Sequence, residues 1–378
     1  MGATAFDDFG HGMSKKMMIV HERFTEVAGS EHVVEQLSIE WPRSDIFAAV
    51  TRPEGIPKGL TAHPHASDLQ PLYRFLREKS YAPLMPLMPR AFRHLPLRDA
   101  DVVVASHHAF ATQSVFATDA PVVAYVHSPA RWAWDASLRA GEGGGPAGAA
   151  LLSLLAASAR RCEIAAAPRL ARIVANSSAV AERVRQWWSR EAVVVHPPVD
   201  TDGFTPDTSV ARENFFLLAG RLVPYKRPEL AIEAAKAAGV PLVVAGDGRS
   251  MERCRAAAGP STTFLGRVSH EQLLDLHRRA RALVMPGVED FGIVPVESMA
   301  TGTPVIALGE GGAMDTILPG VTGVHVESGS LDHVRAGFSE AMRTFDPSAF
   351  DPAEIRKWAE GFSRRAFREK IRQVVDAV

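Results

Sequence analysis

Cysteine is close to absent from this chain: it has two, Cys162 and Cys254, and neither has a second Cys or a His at metal-ligand spacing. That argues against a disulfide framework and a zinc site and makes a reducing, cytoplasmic setting the expectation. Long apolar runs are missing as well. The Ala- and Leu-rich stretch from Ala147 to Ala167 is broken by Arg160, Arg161 and Glu163, so no window reaches the ~20 apolar residues that span a bilayer. Charge is balanced, with 42 Lys and Arg against 43 Asp and Glu and a net charge of -1. A duplex nucleic-acid partner calls for a clear cationic surplus and is set aside. The first residues, with Asp7, Asp8 and His11 ahead of Lys15 and Lys16, do not follow the order of a secretory leader and read as a loose tail. No Gly-x-x-x-x-Gly-Lys-Ser/Thr loop and no Gly-x-Ser-x-Gly elbow occurs, which removes P-loop ATP hydrolysis and serine-esterase chemistry.

What remains is an ordinary globular composition, 46% hydrophobic and 22% charged, in 378 residues, enough for two cores. Short β-branched or apolar runs alternate with longer amphipathic ones, the pattern of βαβ units on a parallel sheet. Strands are expected at Met17 to Val20, Asp45 to Val50, Asp101 to Ala105, Pro121 to Val126, Arg172 to Ala175 and Ala192 to Val195. A second set falls at Phe215 to Ala219, Pro241 to Ala245, Thr262 to Leu265, Ala282 to Met285 and Pro304 to Ala307. Loops are expected at Arg52 to Pro71 and Gly141 to Gly148, and the proline-rich stretch His196 to Pro206 reads as the domain linker. The expected division is a first domain over residues 1–199 and a second over 200–355. A last helix, from about Pro352 to Val378, is long enough for residues 356–378 to return to the first domain. Open α/β sheets bind ligands at the carboxyl ends of their strands, so position alone nominates Gly29, His107, His127 and Asn176.

The chemistry concentrates in two segments. Glu289-Asp-Phe-Gly-Ile-Val-Pro-Val-Glu297 places two carboxylates eight positions apart, the first on a loop and the second on an early helical turn. Glu289 suits sugar hydroxyls and Glu297 the vicinal diol of a ribose. The amides of Phe291, Gly292, Ile293 and Val294 between them form a helix N-terminus, a seat for a diphosphate or a sugar oxygen. In Gly220-Arg221-Leu-Val-Pro-Tyr-Lys226, two cations on one loop can neutralise a departing diphosphate, the work a divalent metal does elsewhere. No metal or other cofactor is therefore expected.

These two motifs, followed by Gly302-Thr-Pro-Val-Ile-Ala, resemble retaining glycosyltransferase family 4 across nearly the whole second half. The resemblance implies an α/β fold of GT-B type, two Rossmann-like doubly wound domains facing a cleft. It also implies Arg221 and Lys226 on the diphosphate, Glu289 on the donor sugar and Glu297 on the ribose. A narrower resemblance, to bacterial GDP-mannose-dependent mannosyltransferases, lies in Tyr125-Val-His127-Ser-Pro-Ala-Arg131-Trp132-Ala-Trp134-Asp135. It implies His127 beside the reacting carbon, with Arg131, Trp132 and Trp134 either lining the acceptor cleft or packing beneath it. Gly29-Ser30-Glu31 resembles the family's Gly-Gly-x-Glu loop with Ala28 at the first glycine. Gly246-Asp247-Gly248 is a tight turn facing the cleft, and Gly266-Arg267-Val268 resembles the base-binding segment. Asp315 stands where the family has a Glu, with a helix cap as the alternative role.

The expected activity is metal-independent hexosyl transfer with retention, mannose from GDP-mannose being preferred and a UDP-hexose (glucose or N-acetylglucosamine type) the alternative donor. The acceptor is a hydroxyl on a glycan, lipid-linked precursor or small natural product, with Ser30, His107 and the His127 segment on its side. A nucleotide-sugar epimerase and a non-catalytic binder are the competing classes. Arg160, Arg161, Arg169, Arg172, Arg183 and Arg185 read as a solvated surface, with peripheral contact to anionic lipid as the other reading.

Overall fold

The computed structural model describes residues 15–139 and 145–378; the expected tail before Lys15 and the Gly141 to Gly144 part of the glycine loop lie outside the described residues. Two parallel sheets organise them. The first holds β1 (Met17–His21), β2 (Asp45–Ala48), β3 (His65–Ala66), β4 (Val102–His107), β5 (Val122–Val126), β6 (Arg172–Ala175) and β7 (Val193–Val194), in the order β3-β2-β1-β4-β5-β6-β7. The second holds β8 (Phe216–Ala219), β9 (Leu242–Ala245), β10 (Thr262–Gly266), β11 (Leu283–Met285), β12 (Val305–Leu308) and β13 (Gly323–Val326), in the order β10-β9-β8-β11-β12-β13. Both are Rossmann-like: strand order reverses beside β1 in one and beside β8 in the other, and a crevice opens there at the strands' carboxyl ends.

The central strands are apolar throughout because both faces are covered by helices. Alternate residues of β1 show it: Met18 and Val20 pack into one apolar cluster with Phe92, Phe110 and Val184, while Met17 and Ile19 pack into another with Val33, Leu37 and Phe367.

Several elements depart from the sequence reading, and the helix Pro146–Ala166 begins inside the expected Gly141 to Gly148 loop. The Arg52 to Pro71 loop contains the two-residue edge strand β3, and β13 was not expected at all. The final helix is two helices, Pro352–Glu360 and Arg364–Asp376, separated by a turn at Gly361 to Ser363. The break follows from Ser363, whose side chain accepts a hydrogen bond from the Ala366 amide and starts a new helix. Val199 pairs with Ser363 at the same place, so the outgoing and returning crossings lie side by side. The first of the two helices buries Ile355 and Ala359 against the second domain. The second buries Phe367, Ile371 and Val375 against the first, with Arg368 on Gln36 and Arg372 on Glu40.

Candidate functional site

The carboxyl ends of the two sheets face one another across a cavity of about 640 Å³. The second domain supplies Gly220, Arg221, Tyr225, Lys226 and the run Glu289 to Val294; the first supplies Ala28, Gly29, Ser30, His127, Arg131, Trp132, Asn176 and Pro197. A larger cavity, about 840 Å³, lies at the opposite end of the first sheet around Arg93, Phe116 and Arg169, and holds none of the donor- or acceptor-side residues expected from the sequence.

On the second-domain wall, Lys226 Nζ meets Glu289 Oε1 at 2.8 Å, each side chain less than one-fifth exposed. The pairing exists because the turn after β8 and the loop after β11 touch: a Cβ on Gly287 would lie 2.5 Å from the Lys226 Cα. Behind Glu289, the Gly312 amide donates to its carbonyl at 2.9 Å, and a Cβ on Gly312 would fall 2.3 Å from the Phe291 Cα. The glycine-rich loop 309–312 is thus a backing plate for the acidic loop. The helix Ile293–Ala300 follows Gly292, which has a left-handed φ of 92°, and offers its first amides to the cavity. Glu297 sits half-buried on this helix; burial first, then the charge of Asp200, pushes its carboxyl up to about 7, with Lys226 opposing. Arg221 is mostly exposed and reaches Glu26 of the first domain at 4.0 Å.

On the facing wall, His127 directly follows β5 and is 8% exposed. Its Nε2 lies 2.8 Å from Ser106 Oγ, which lies 3.0 Å from His21 Nδ1, and His21 Nε2 lies 3.1 Å from Glu31 Oε1. Burial and then the hydrogen bond and charge of His21 act oppositely on Glu31, and the balance holds it at about 2. It is therefore an acceptor at neutral pH, and His21 Nε2 donates to it. Ser106 Oγ stands between the two rings, with one proton to give and lone pairs to accept, and so links His21 Nδ1 to His127 Nε2. Burial, then the nearby His21, holds His127 down to about 3, so it works as a neutral imidazole. His108 stacks on it, ring centroids 4.5 Å apart.

The two walls are tied. Asp290 accepts from Arg131 at 3.2 Å and also pairs with Arg183, both from the first domain. Asp315 accepts from the Ser178 amide at 2.6 Å, so the acid does cap a helix, but one belonging to the other domain. Gly29 lies so close to the second domain that a Cβ would stand 2.6 Å from Ile293 Cδ1.

Several residues fall outside the cavity. His107 is fully buried, with Nε2 at 3.1 Å from Glu163. Trp134 Nε1 also donates to Glu163, at 2.5 Å, and its ring stacks on Trp187, so it packs beneath the cleft while Arg131 and Trp132 line it. Glu163 is a buried hub that accepts further from the Ala130 amide and from Trp188, and it orders the loop after β5. Gly246, with φ 149°, is needed where a Cβ would sit 1.9 Å from the Gly220 carbonyl, a close backbone approach between the turns after β8 and β9. Arg267 is exposed beside Asp247 at 3.8 Å, and Val268 packs partly against the second core; neither lines the cavity. Sequence reasoning passed over Asp290, Tyr225 and Pro197, and the one signal it had for Asp290 was adjacency to Glu289; Arg183, read there as part of a solvated face, is instead 17% exposed and turned onto Asp290. Among the described residues no three His, Cys, Asp or Glu side chains cluster as a metal-ion site, and no helix is long and apolar enough to cross a membrane.

Comparison with known proteins follows the same division. Residues 27–202 match the model of Glycosyltransferase Family 4, and residues 205–345 that of Glycosyl transferases group 1. D-inositol 3-phosphate glycosyltransferase of Mycobacterium avium (strain 104) is 34% identical over 177 residues, 41% of this chain and 42% of that protein. The Mycolicibacterium smegmatis enzyme of the same name is 33% identical over 188 residues, 44% and 43% of the two chains. The chain thus spans less than half the length of these curated relatives. Among solved structures, Anabaena HepE in complex with UDP and glucose superposes with a TM-score of 0.71 at 17% identity, covering 97% of this chain and 100% of that one. Sucrose-phosphate synthase from Thermosynechococcus elongatus gives 0.70 at 19% identity, covering 95% and 98%. Fold and domain content define the class: a GT-B protein of two Rossmann-like domains. Within that class, the first half of the chain is similar to the Glycosyltransferase Family 4 model and the second half to that of Glycosyl transferases group 1.

Proposed function

We propose that the chain transfers a hexose from a nucleoside diphosphate donor to an acceptor hydroxyl in the cleft between its domains, with retention and without a metal ion. The observation that carries the reading is the composition of that cleft, where two cations, a carboxylate and a helix N-terminus on one wall face a neutral histidine on the other.

In this reading the diphosphate lies against Arg221, Lys226 and the amides at Ile293 and Val294, the ribose diol on Glu297 and the sugar hydroxyls on Glu289. Negative charge grows on the departing phosphate as the anomeric bond lengthens, and the two cations stabilise it where it develops. His127, neutral and held by Ser106, orients a sugar hydroxyl rather than delivering a proton. The acceptor oxygen bonds to the anomeric carbon on the face the phosphate leaves, and its proton passes to the phosphate oxygen. The ties between the walls hold the two reactants in register, which adds orientation to the charge stabilisation.

Two donors are supported by different observations. GDP-mannose rests on the resemblance of the His127 to Asp135 segment, although Trp134 of that segment builds the first domain's interior. A UDP-hexose is favoured by the neighbouring fold, since Anabaena HepE was solved with UDP and glucose. Peripheral membrane contact through the basic helix faces stays part of the proposal. The test is turnover: each donor is incubated with candidate acceptors in EDTA, and the anomeric configuration of the product is read by proton NMR. A retained glycoside supports the reading; an inverted one removes the same-face mechanism, and a free epimerised nucleotide sugar moves the protein to the epimerase class.

A further inference from the structure

A second cavity, about 250 Å³, opens beside the cleft and shares Arg131 and Trp132 with it. Its other walls include Arg23, Tyr81, Met85, Met88 and Phe110. His108 also lines it, the ring stacked on His127, so the cavity reaches the histidine at the reaction centre from the first-domain side.

Arg23 is the unusual member. Its guanidinium lies 4.1 Å from the Tyr81 ring centroid, and its Nε is buried without a hydrogen-bond partner. The neighbouring acid does not serve it: the Glu22 carboxylate accepts from the amides of His108, Ala109, Phe110 and Ala111 at 2.9 to 3.3 Å. A stacked guanidinium keeps its in-plane donors free, and a buried donor left unmade is costly, so the site favours a planar or tetrahedral oxyanion. Burial, with the Arg23 charge beside it, holds His108 well down, so it adds no cation to Arg23 and Arg131 but can hydrogen-bond as a neutral ring. The methionines and Trp132 supply apolar faces for the ring that bears the anion.

Resting on the transferase reading above, we infer that this cavity is the acceptor subsite and that the acceptor is a hydroxylated ring carrying an anionic oxo group, a phosphate monoester or a carboxylate, held by Arg23.

The full chain is first titrated with UDP and GDP, and the tighter nucleotide is then kept saturating so that Arg221 and Lys226 are occupied. The probes are D-inositol 3-phosphate and D-glucuronate, with myo-inositol and D-glucose as neutral counterparts. At least one charged probe should bind about tenfold or more tighter than its counterpart, the range of a charge-assisted hydrogen bond. Arg23→Gln should erase that preference with nucleotide affinity unchanged, and Arg23→Lys should restore part of it. The phosphate and carboxylate arms tell the two anions apart. A wild-type protein without preference for either charged probe, or a preference that survives in Arg23→Gln, overturns the assignment. Absence of nucleotide binding refutes the donor reading instead, and the probes are then compared without nucleotide under the same criteria.

Discussion

Nε2 of His127 lies 2.8 Å from the Ser106 hydroxyl, and through it the cleft histidine is the last member of a buried polar chain that begins at Glu31. The Ser106 hydroxyl anchors the ring by its Nε2, so removing it loosens the imidazole. Ser106→Ala is expected to lower kcat by about 10- to 100-fold, the scale of a small misplacement at a reacting centre. Donor affinity should change by less than about twofold, because none of the four residues touches the diphosphate side. Steady-state kinetics with calorimetry of the donor nucleotide would check the split; an equal fall in affinity would mean that Ser106 supports the fold rather than His127.

The ion pair between Lys226 and Glu289 predicts an asymmetry. Lys226→Ala strips charge from the departing phosphate and leaves Glu289 without its partner, so turnover should fall ~100- to 1,000-fold and stability by ~1–3 kcal/mol. Arg221→Ala, at a side chain 65% exposed, should cost turnover but little stability. Comparing activity with thermal melts of both variants would decide it.

The pH dependence should belong to Glu297 and not to His127, since His127 is held at about 3 and stays neutral above pH 5. Glu297, at about 7, can accept from both hydroxyls of a ribose diol, one on each oxygen, once it has lost its proton, so donor affinity should rise as pH rises through about 7. Glu297→Gln should flatten that profile. Stability runs the other way: the folded value is raised above the ordinary 4.5, so the contribution is complete below 4.5 and is lost as pH climbs to about 7. Relative to wild type, Glu297→Gln should therefore melt higher at pH 8 than at pH 5.

Much of this was legible in the sequence, for physical reasons that particular residues show. β1 and β12 are buried on both faces and read as unbroken apolar runs, whereas β13, Gly-Val-His-Val, is short and interrupted by a polar residue. The continuity of charge and apolar spacing from Pro352 to Val378 hid the break at Gly361 to Ser363, because Phe362 fills the gap with an apolar residue that packs into the second core. Lys226 and Glu289 could be nominated because loop position and residue type coincide. His107 and Trp134 could not be separated from the cleft residues, since what removes them is Glu163, distant in sequence and visible only after folding.

Glycines divide by what surrounds them. A side chain at Gly246 would strike the Gly220 carbonyl at 1.9 Å in a backbone with φ 149°, so Gly246→Ala should unfold or strongly destabilise the second domain. Gly266, with φ 67° and open space around it, should tolerate Ala at a cost of about 1–2 kcal/mol. Circular dichroism melts of the two variants would test the contrast.

Asp290 joins the walls through Arg131 and Arg183, and Asp290→Ala would leave both guanidinium groups without that partner. A wider cleft, read as an increased radius of gyration by solution X-ray scattering, should accompany a raised KM for donor and acceptor together.

The most direct test of the central claim is calorimetric titration of the wild-type chain, Lys226→Ala and Glu289→Ala with UDP, GDP, UDP-glucose and GDP-mannose in EDTA. The account predicts that one nucleotide and its sugar form bind the wild type, that Lys226→Ala weakens both at least tenfold, and that Glu289→Ala weakens the sugar form more than the bare nucleotide. Absence of binding by every nucleotide, or unchanged affinities in both variants, would contradict it.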